Sequence, residues 1–305
     1  MSEQSTKLRL LAPGKINLCL LLGPQRSDGY HDLASVFLPL DLSDQLLLET
    51  VPVGVSGDSV RCEGVEGDNL AAKAIASWRD HSGWAGPAVN LTIEKMIPVA
   101  AGMGGGSADA AAALRLVAAA AGRENDSLLD EIAPMLGADV PAMLHGGPLL
   151  GEGVGSRMTA LSMPADAGYL IIPSDHQLST ATVFAKAGEM GLRRDIDQLA
   201  SMAARVVDIC DQPGWVLPDD LLGLNDLTAA ALELQPSIAD ALADVLSVGA
   251  TKSFMTGSGP TVVGIFDGQD GLDRAAQAAA AISERWPRAV ACAASPRSAT
   301  IERLQ

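Results

Sequence analysis

The sequence predicts an α+β protein in two lobes, 1–163 and 164–305, the second a split β-α-β unit of the ferredoxin-like kind. Three observations carry this. The N-terminal part is built from Leu-, Val- and Ile-rich runs, "KLRLLAPGKINLCLLLG" and "HDLASVFLPLDLSDQLLLETV", punctuated by Gly, Pro and Asp-Gly steps, which is the pattern of strands and turns. A glycine cluster in "IPVAAGMGGGSADAAAALRL" runs directly into an alanine-rich stretch. Beyond Pro164 the order of elements is strand, helix, strand, strand, helix, strand, with extra helices inserted.

Each element has its own warrant. "GDNLAAKAIASWRDHSG" places Leu70, Ala74, Ile75 and Trp78 on one helical face. "AVNLTIEKMIP" alternates as a strand and delivers the chain to the glycine loop. The alanine-rich helix is expected over 107–121 and ends at Gly122. A second helix over 127–135 precedes "LGADVP", and "GGPLLGEGVGSRMTAL" reads as a hairpin. In the second lobe "GYLIIPS" is a strand, "STATVFAKAGEM" a helix, and further helices lie between 196 and 248. Strand "TKSFMTG", turn "SGP", strand "TVVGIFDG", helix "LDRAAQAAAAISERW" and strand "AVACAAS" complete the chain.

Composition excludes several classes. The 305 residues carry a formal net charge of −16, which a nucleic-acid backbone would repel. A small anionic ligand remains compatible, because local backbone dipoles act at short range. Cys19, Cys62, Cys210 and Cys292 are far apart and suit reduced thiols in the cytosol. The first residues lack the pattern of a signal peptide. The most apolar window, 108–121, contains Asp109 and Arg115 and is short for a membrane span.

The glycine loop has a physical reading. Small residues at a helix start leave backbone N–H groups unpaired, and the helix dipole adds partial positive charge there. Such a loop suits a phosphate; a tight strand-to-helix connection without a ligand is the plain alternative. The Ser107 hydroxyl can cap the helix or reach a phosphate-bound metal. No lysine follows Gly106, so the Walker pattern is absent, and "GMGGGS" does not satisfy the dinucleotide pattern G-x-G-x-x-G.

Three segments, "APGKINLCLLLG", "PVAAGMGGGSADAAAAL" and "MTGSGPTVVGIF", occur in the order and spacing of the GHMP small-molecule kinases. The chain resembles that family over nearly its whole length. "RSDGYHDLASVF", "GDNLAAKA", "LGADVPAML" and "GEGVGS" are similar to the branch acting on 4-diphosphocytidyl-2-C-methyl-D-erythritol. The resemblance implies the two-lobed GHMP-kinase-like fold and ATP-dependent phosphorylation of the 2-hydroxyl of that substrate, with Mg2+ carried on the nucleotide. Homoserine- or mevalonate-type kinases, and a silent nucleotide-binding protein, are the competing readings. Two positions depart from the family pattern. Gly14 stands where alanine is usual, and Ala108 where a second serine is common.

By the same resemblance Asp139 is the general base, orienting the substrate hydroxyl and taking its proton; by itself "GADVP" reads as a turn. Lys15 would sit beside it and polarise the hydroxyl or a phosphate oxygen; a solvent-facing lysine is the plain reading. The ATP set is Pro98, Ala100, Gly102, Met103, Gly104, Gly105, Gly106 and Ser107, with Asn69 and Lys95. Asn69 reads equally as a helix N-cap and Lys95 as a solvated charge. The substrate set is Asn17, Tyr30, His31, Ala138, Val154, Phe184, Gly257, Ser258 and Gly259. Tyr30, His31 and Phe184 are the candidates for stacking on and hydrogen-bonding a cytosine. No His or Cys cluster suggests a transition metal, and no protein ligand to a metal is assigned.

Overall fold

The computed structural model describes residues 6–51, 57–65, 67–99, 101–155, 157–174, 178–295 and 299–304. Its spine is a long antiparallel hairpin of β1 (Lys7–Gln25) and β2 (His31–Thr50). The register shifts between Pro13 and Lys15, Asn17 and Cys19, and Leu22 and Gln25. Such shifts re-aim side chains, and two of them flank Lys15 and Asn17. The outer half of β2 pairs with β4 (Val89–Glu94), which runs parallel to β3 (Ser59–Cys62). The inner half pairs with the hairpin of β5 (Leu149–Gly153) and β6 (Arg157–Ala160).

Helices α1 (Leu70–Ser82) and α2 (Gly105–Ala120) lie on this sheet, and α3 (Leu128–Leu136) and α4 (Val140–His145) pack against them. Helix α2 is central. Ala108 to Ala119, Arg115 excepted, are buried, and a helix apolar on all sides belongs in a core. It touches α1, α3, α4, β1 and β2, and its alanines permit close approach on each side. It begins two residues before the expected 107, inside the glycine run, because Gly104 takes a left-handed φ of 70° at the N-cap. Ser107 makes no capping bond. On α1 the buried face is Ala71, Ala74, Ile75 and Trp78, with Leu70 at its margin.

The second lobe is a four-stranded antiparallel sheet, with β7 (Ala167–Ile172), β8 (Lys252–Met255), β9 (Val262–Asp267) and β10 (Val290–Ala293) in the order β10-β7-β9-β8. This is the expected split β-α-β arrangement. Helices α5 (Thr180–Glu189), α6 (Ile196–Ile209), α7 (Thr228–Leu234) and α8 (Ile238–Ser247) are inserted between β7 and β8. Helix α9 (Gly271–Ala281) packs on β7, β9 and β10. The final strand, β11 (Glu302–Leu304), returns to pair with β1, so the expected unit 164–305 contributes one strand to the first sheet. Strands β3 and β11 are short, at four and three residues, and carry too little periodicity to be expected from sequence.

The lobes meet along β1. Gly223 N–H donates to Leu18 O (2.8 Å), Leu20 N–H to Leu224 O (2.8 Å) and Asp226 N–H to Leu20 O (3.0 Å). Residues 223–226 therefore lie beside β1 like a further strand.

Because Ala113 is fully buried in the tightly packed core around α2, Ala113→Leu should destabilise the chain by about 1–3 kcal/mol. Urea unfolding measures this; an unchanged midpoint would contradict the close packing.

Candidate active site

The glycine loop joins β4 to α2. Gly102 and Gly104 both have φ of 70°, a region that suits glycine. A Cβ on Gly104 would lie 2.8 Å from Met143 Cε and 3.2 Å from Lys15 Cε, so glycine is also required for close approach. The first helical bond of α2 runs from Ala108 N–H to Gly104 O (2.8 Å). The N–H groups of Gly105, Gly106 and Ser107 precede it and face the helix's positive end. They open on a cleft of about 330 Å³ lined by the loop, Asn69, Leu70, Lys95, Pro98 and Asp109. Free N–H groups at a helix start opening on a cleft are the geometry that suits a phosphate. Ala100 lies outside the described residues.

Lys15 stands at the inner end of this loop. Its ammonium is buried and donates to Asn17 Oδ1 (2.8 Å) and Gly102 O (3.1 Å), with Asp139 Oδ2 at 3.5 Å. The Phe37 ring centroid is 5.5 Å away. Asp139 precedes α4, whose six residues are unexpected from "GADVP". Its side chain makes no capping bond and is 35% exposed, so the carboxylate is open to a ligand. Asn17 shares the strand face with Lys15, as its spacing predicts, but its buried amide is committed within the protein. Oδ1 accepts from Lys15, and Nδ2 donates to Ser35 Oγ (2.7 Å), which donates to Cys19 O (2.7 Å). Asn17 N–H donates to Thr256 Oγ1 (2.7 Å). Asn17 thus acts on the site through Lys15.

Lys95 does not present a free charge. Its ammonium is clamped between Asp109 (2.7 Å) and the fully buried Asp44, whose other oxygen accepts from Met96 N–H and Ile97 N–H. Burial lowers the lysine's proton affinity, but the hydrogen bonds and charges of Asp109 and Asp44 outweigh it and hold Lys95 above its ordinary range. Burial pushes Asp109 up to about 6, against the lowering effect of Lys95. Asp109 Oδ1 has no partner, which deepens that penalty. Neither acid was among the expected site residues; an aspartate inside an alanine-rich helix was the available signal for Asp109. Asn69 caps α1, with Oδ1 accepting from Ala71 N–H (2.8 Å), while its side also lines the cleft.

The expected substrate residues gather on the other side of Lys15. His31 Nδ1 lies 3.1 Å from Gly23 O, and its ring meets Phe184 at 5.9 Å between centroids, tilted by 50°. Tyr30, the neighbouring residue, is 69% exposed and is available to a ligand rather than packed in the core. Ser258 Oγ is 3.0 Å from Thr180 Oγ1, on the first turn of the helix that carries Phe184. A Cβ on Gly257 would lie 3.5 Å from Asn17 Oδ1 and 3.6 Å from Lys15 Nζ. One on Gly102 would lie 3.2 Å from Gly259 O, so the turn after β8 closes over the glycine loop. Val154 lies in the β5–β6 turn, where a Cβ on Gly155 would come within 2.8 Å of Ala138 O; that turn backs Ala138 and Asp139. Gly14 sits where a Cβ would meet Ile97 Cδ1 at 3.3 Å and Leu42 O at 3.4 Å, so an alanine there would press Ile97 aside.

Comparison with known proteins shows the family. Residues 69–147 match the family model "GHMP kinases N terminal domain" and residues 211–288 match "GHMP kinases C terminal". A 4-diphosphocytidyl-2-C-methyl-D-erythritol kinase of Anaeromyxobacter sp. (strain K) is 38% identical over 280 residues, spanning 89% of this chain and 85% of that protein. One of Corynebacterium efficiens is 40% identical over 268 residues, 83% of each. A crystal structure of 4-(cytidine 5'-diphospho)-2C-methyl-D-erythritol kinase superposes with a TM-score of 0.72 at 30% identity, covering 94% of this chain and 99% of that one.

The raised proton affinity of Asp109 has a sign that stability measurements can read. The folded state favours the protonated acid, so its contribution is present at low pH and lost as pH rises from the ordinary carboxylate range through about 6. Relative to Asp109→Asn, the chain should lose about 1–3 kcal/mol of stability between pH 4 and pH 7. A gap between the two urea midpoints that does not vary with pH would contradict the cluster's electrostatics.

Proposed function

The chain belongs to the GHMP kinases and, within them, to the 4-diphosphocytidyl-2-C-methyl-D-erythritol kinases; on that premise we propose that the γ-phosphoryl group of ATP passes to the 2-hydroxyl of the cytidyl substrate at Lys15 and Asp139. The observation that carries this reading is the position of one buried ammonium. Lys15 Nζ touches Gly102 of the phosphate loop and lies 3.5 Å from the open carboxylate of Asp139. A phosphate held by the loop and a hydroxyl held by Asp139 would therefore meet across the same cation.

The step follows from these positions. Asp139 orients the 2-hydroxyl and accepts its proton while the oxygen forms a bond to the γ-phosphorus and the bond to the β-phosphate oxygen breaks, releasing ADP. Lys15 stabilises the charge on the transferring group. The N–H groups of Gly105, Gly106 and Ser107 hold the nucleotide's phosphates without needing a side chain. Among the described residues no group of three His, Cys, Asp or Glu is placed to hold a metal. A magnesium ion would arrive on the nucleotide, bound by phosphate oxygens and water. Its chemistry is neutralisation of charge on the phosphates.

At the other end, the exposed Tyr30 ring and the His31–Phe184 pair form the reading site for cytosine. His31 has Nδ1 occupied by Gly23 O, which leaves Nε2 for the base. The cysteines suit the reducing setting expected from their spacing. All four cysteines are free thiols, and burial pushes Cys19 to about 11 and Cys210 and Cys292 to about 12. No described helix is long and apolar enough to cross a membrane.

Asp139→Asn should keep MgATP affinity while lowering kcat by about 10²–10⁴-fold, read as ADP release and as nucleotide binding in parallel. Turnover unchanged in the variant would overturn the assignment of the base.

A further inference from the structure

The turn between β8 and β9 rests against Lys15 and Asn17, yet its own hydrogen bonds do not explain its orientation. Thr256 N–H donates to Thr261 O and Gly259 N–H to Thr256 O, both at 3.0 Å. The rest comes from Asn225, a buried residue of the segment beside β1. Its Nδ2 donates to Met255 O (2.9 Å) and Gly257 O (2.8 Å), and its Oδ1 accepts from Leu227 N–H (3.0 Å). Asn225 is itself fixed. Its neighbours bond to Leu20 on either side, and Asp226 accepts from Leu22 N–H (2.8 Å) and from two N–H groups of Arg194. The strand that carries Lys15 and Asn17 thereby also sets the turn that faces them.

In a planar trans peptide the carbonyl and the N–H point in opposite directions. With the Gly257 carbonyl drawn to Asn225, the N–H of Ser258 points away from Asn225. Among the described residues no acceptor is bonded to that N–H, nor to the N–H of Gly257. On one side of this peptide lie Lys15 and Asn17; on the other, Ser258 meets Thr180 on the helix bearing Phe184. In the cytidyl substrate the diphosphate is the covalent link between the base and the carbon skeleton that carries the reacting hydroxyl. The spatial order of the site matches that chemical order. Resting on the functional reading above, we infer that Asn225 is a positioning residue that orients the 257–258 peptide so that Ser258 N–H serves the diphosphate of the acceptor substrate.

The test compares two competitive inhibitors, CDP and cytidine, which differ by the diphosphate. Asn225→Ala, checked for folding by its thermal melt, should lose about ten- to hundredfold in CDP affinity, with cytidine and MgATP affinities held within about threefold. Asn225→Asp has the same shape but turns oxygen toward both carbonyls; it should show the same selective loss and replaces the alanine variant should that one not fold. CDP and cytidine weakened equally, or CDP unaffected in a folded variant, would overturn the role of Asn225. CDP and cytidine both failing to compete in the unaltered enzyme would instead overturn the substrate reading, and the inference with it.

Discussion

Lys15 is a cation removed from water, and the structure around it follows from what such a charge requires. A buried ammonium without partners is costly enough to drive the side chain out or strip its proton. Here its partners come from three directions: Asn17 Oδ1 along β1, Gly102 O from the glycine loop, and the Asp139 carboxylate from the turn before α4. The three partners are far apart in sequence, and only Asn17 is near Lys15. Satisfying one charge therefore joins the strand, the phosphate loop and the carboxylate, and places the loop's free N–H groups beside an open acid. The bond from Lys15 N–H to Met103 O (2.9 Å) ties backbone to backbone at the same point.

The glycines and alanines around this site have complementary reasons. Glycine at 102 and 104 allows a left-handed backbone and lets Lys15 and Met143 lie against the loop. Alanine through α2 allows that helix to be buried on all sides, which fixes the direction of its positive end. A second cation, the half-buried Lys95, lines the cleft wall. Held by Asp44 and Asp109, it carries no net positive charge to the cleft, so the backbone N–H groups and the inner Lys15 supply the attraction for phosphate. An acidic chain can thus bind an anion, because the field is local.

Much of this was legible in the sequence where local pattern and long-range order agree. The split β-α-β arrangement of the second lobe followed from strand and helix succession, and the Lys15–Asn17 spacing placed both on one strand face. The glycine run read as the start of the alanine-rich helix, although α2 starts at Gly105 because a left-handed Gly104 can serve as a cap. What stayed hidden depended on tertiary contacts. β3 and β11 are too short to show a period, and β11 joins residues nearly three hundred positions apart. Asp44 stands in a strand and Asp109 in a helix with no motif joining them; only the fold brings both to Lys95. Asn225 works through bonds to two backbone carbonyls, for which no side-chain pattern exists.

The most direct measurement is ADP release by the purified chain with MgATP and 4-diphosphocytidyl-2-C-methyl-D-erythritol, beside the same assay with homoserine or mevalonate. The arrangement of Lys15, Asp139 and the base-reading end gives turnover with the cytidyl substrate and none with the other two. Turnover with homoserine or mevalonate and not with the cytidyl substrate would contradict the account, leaving the fold and the phosphate cradle but removing the role given to Tyr30, His31 and Phe184.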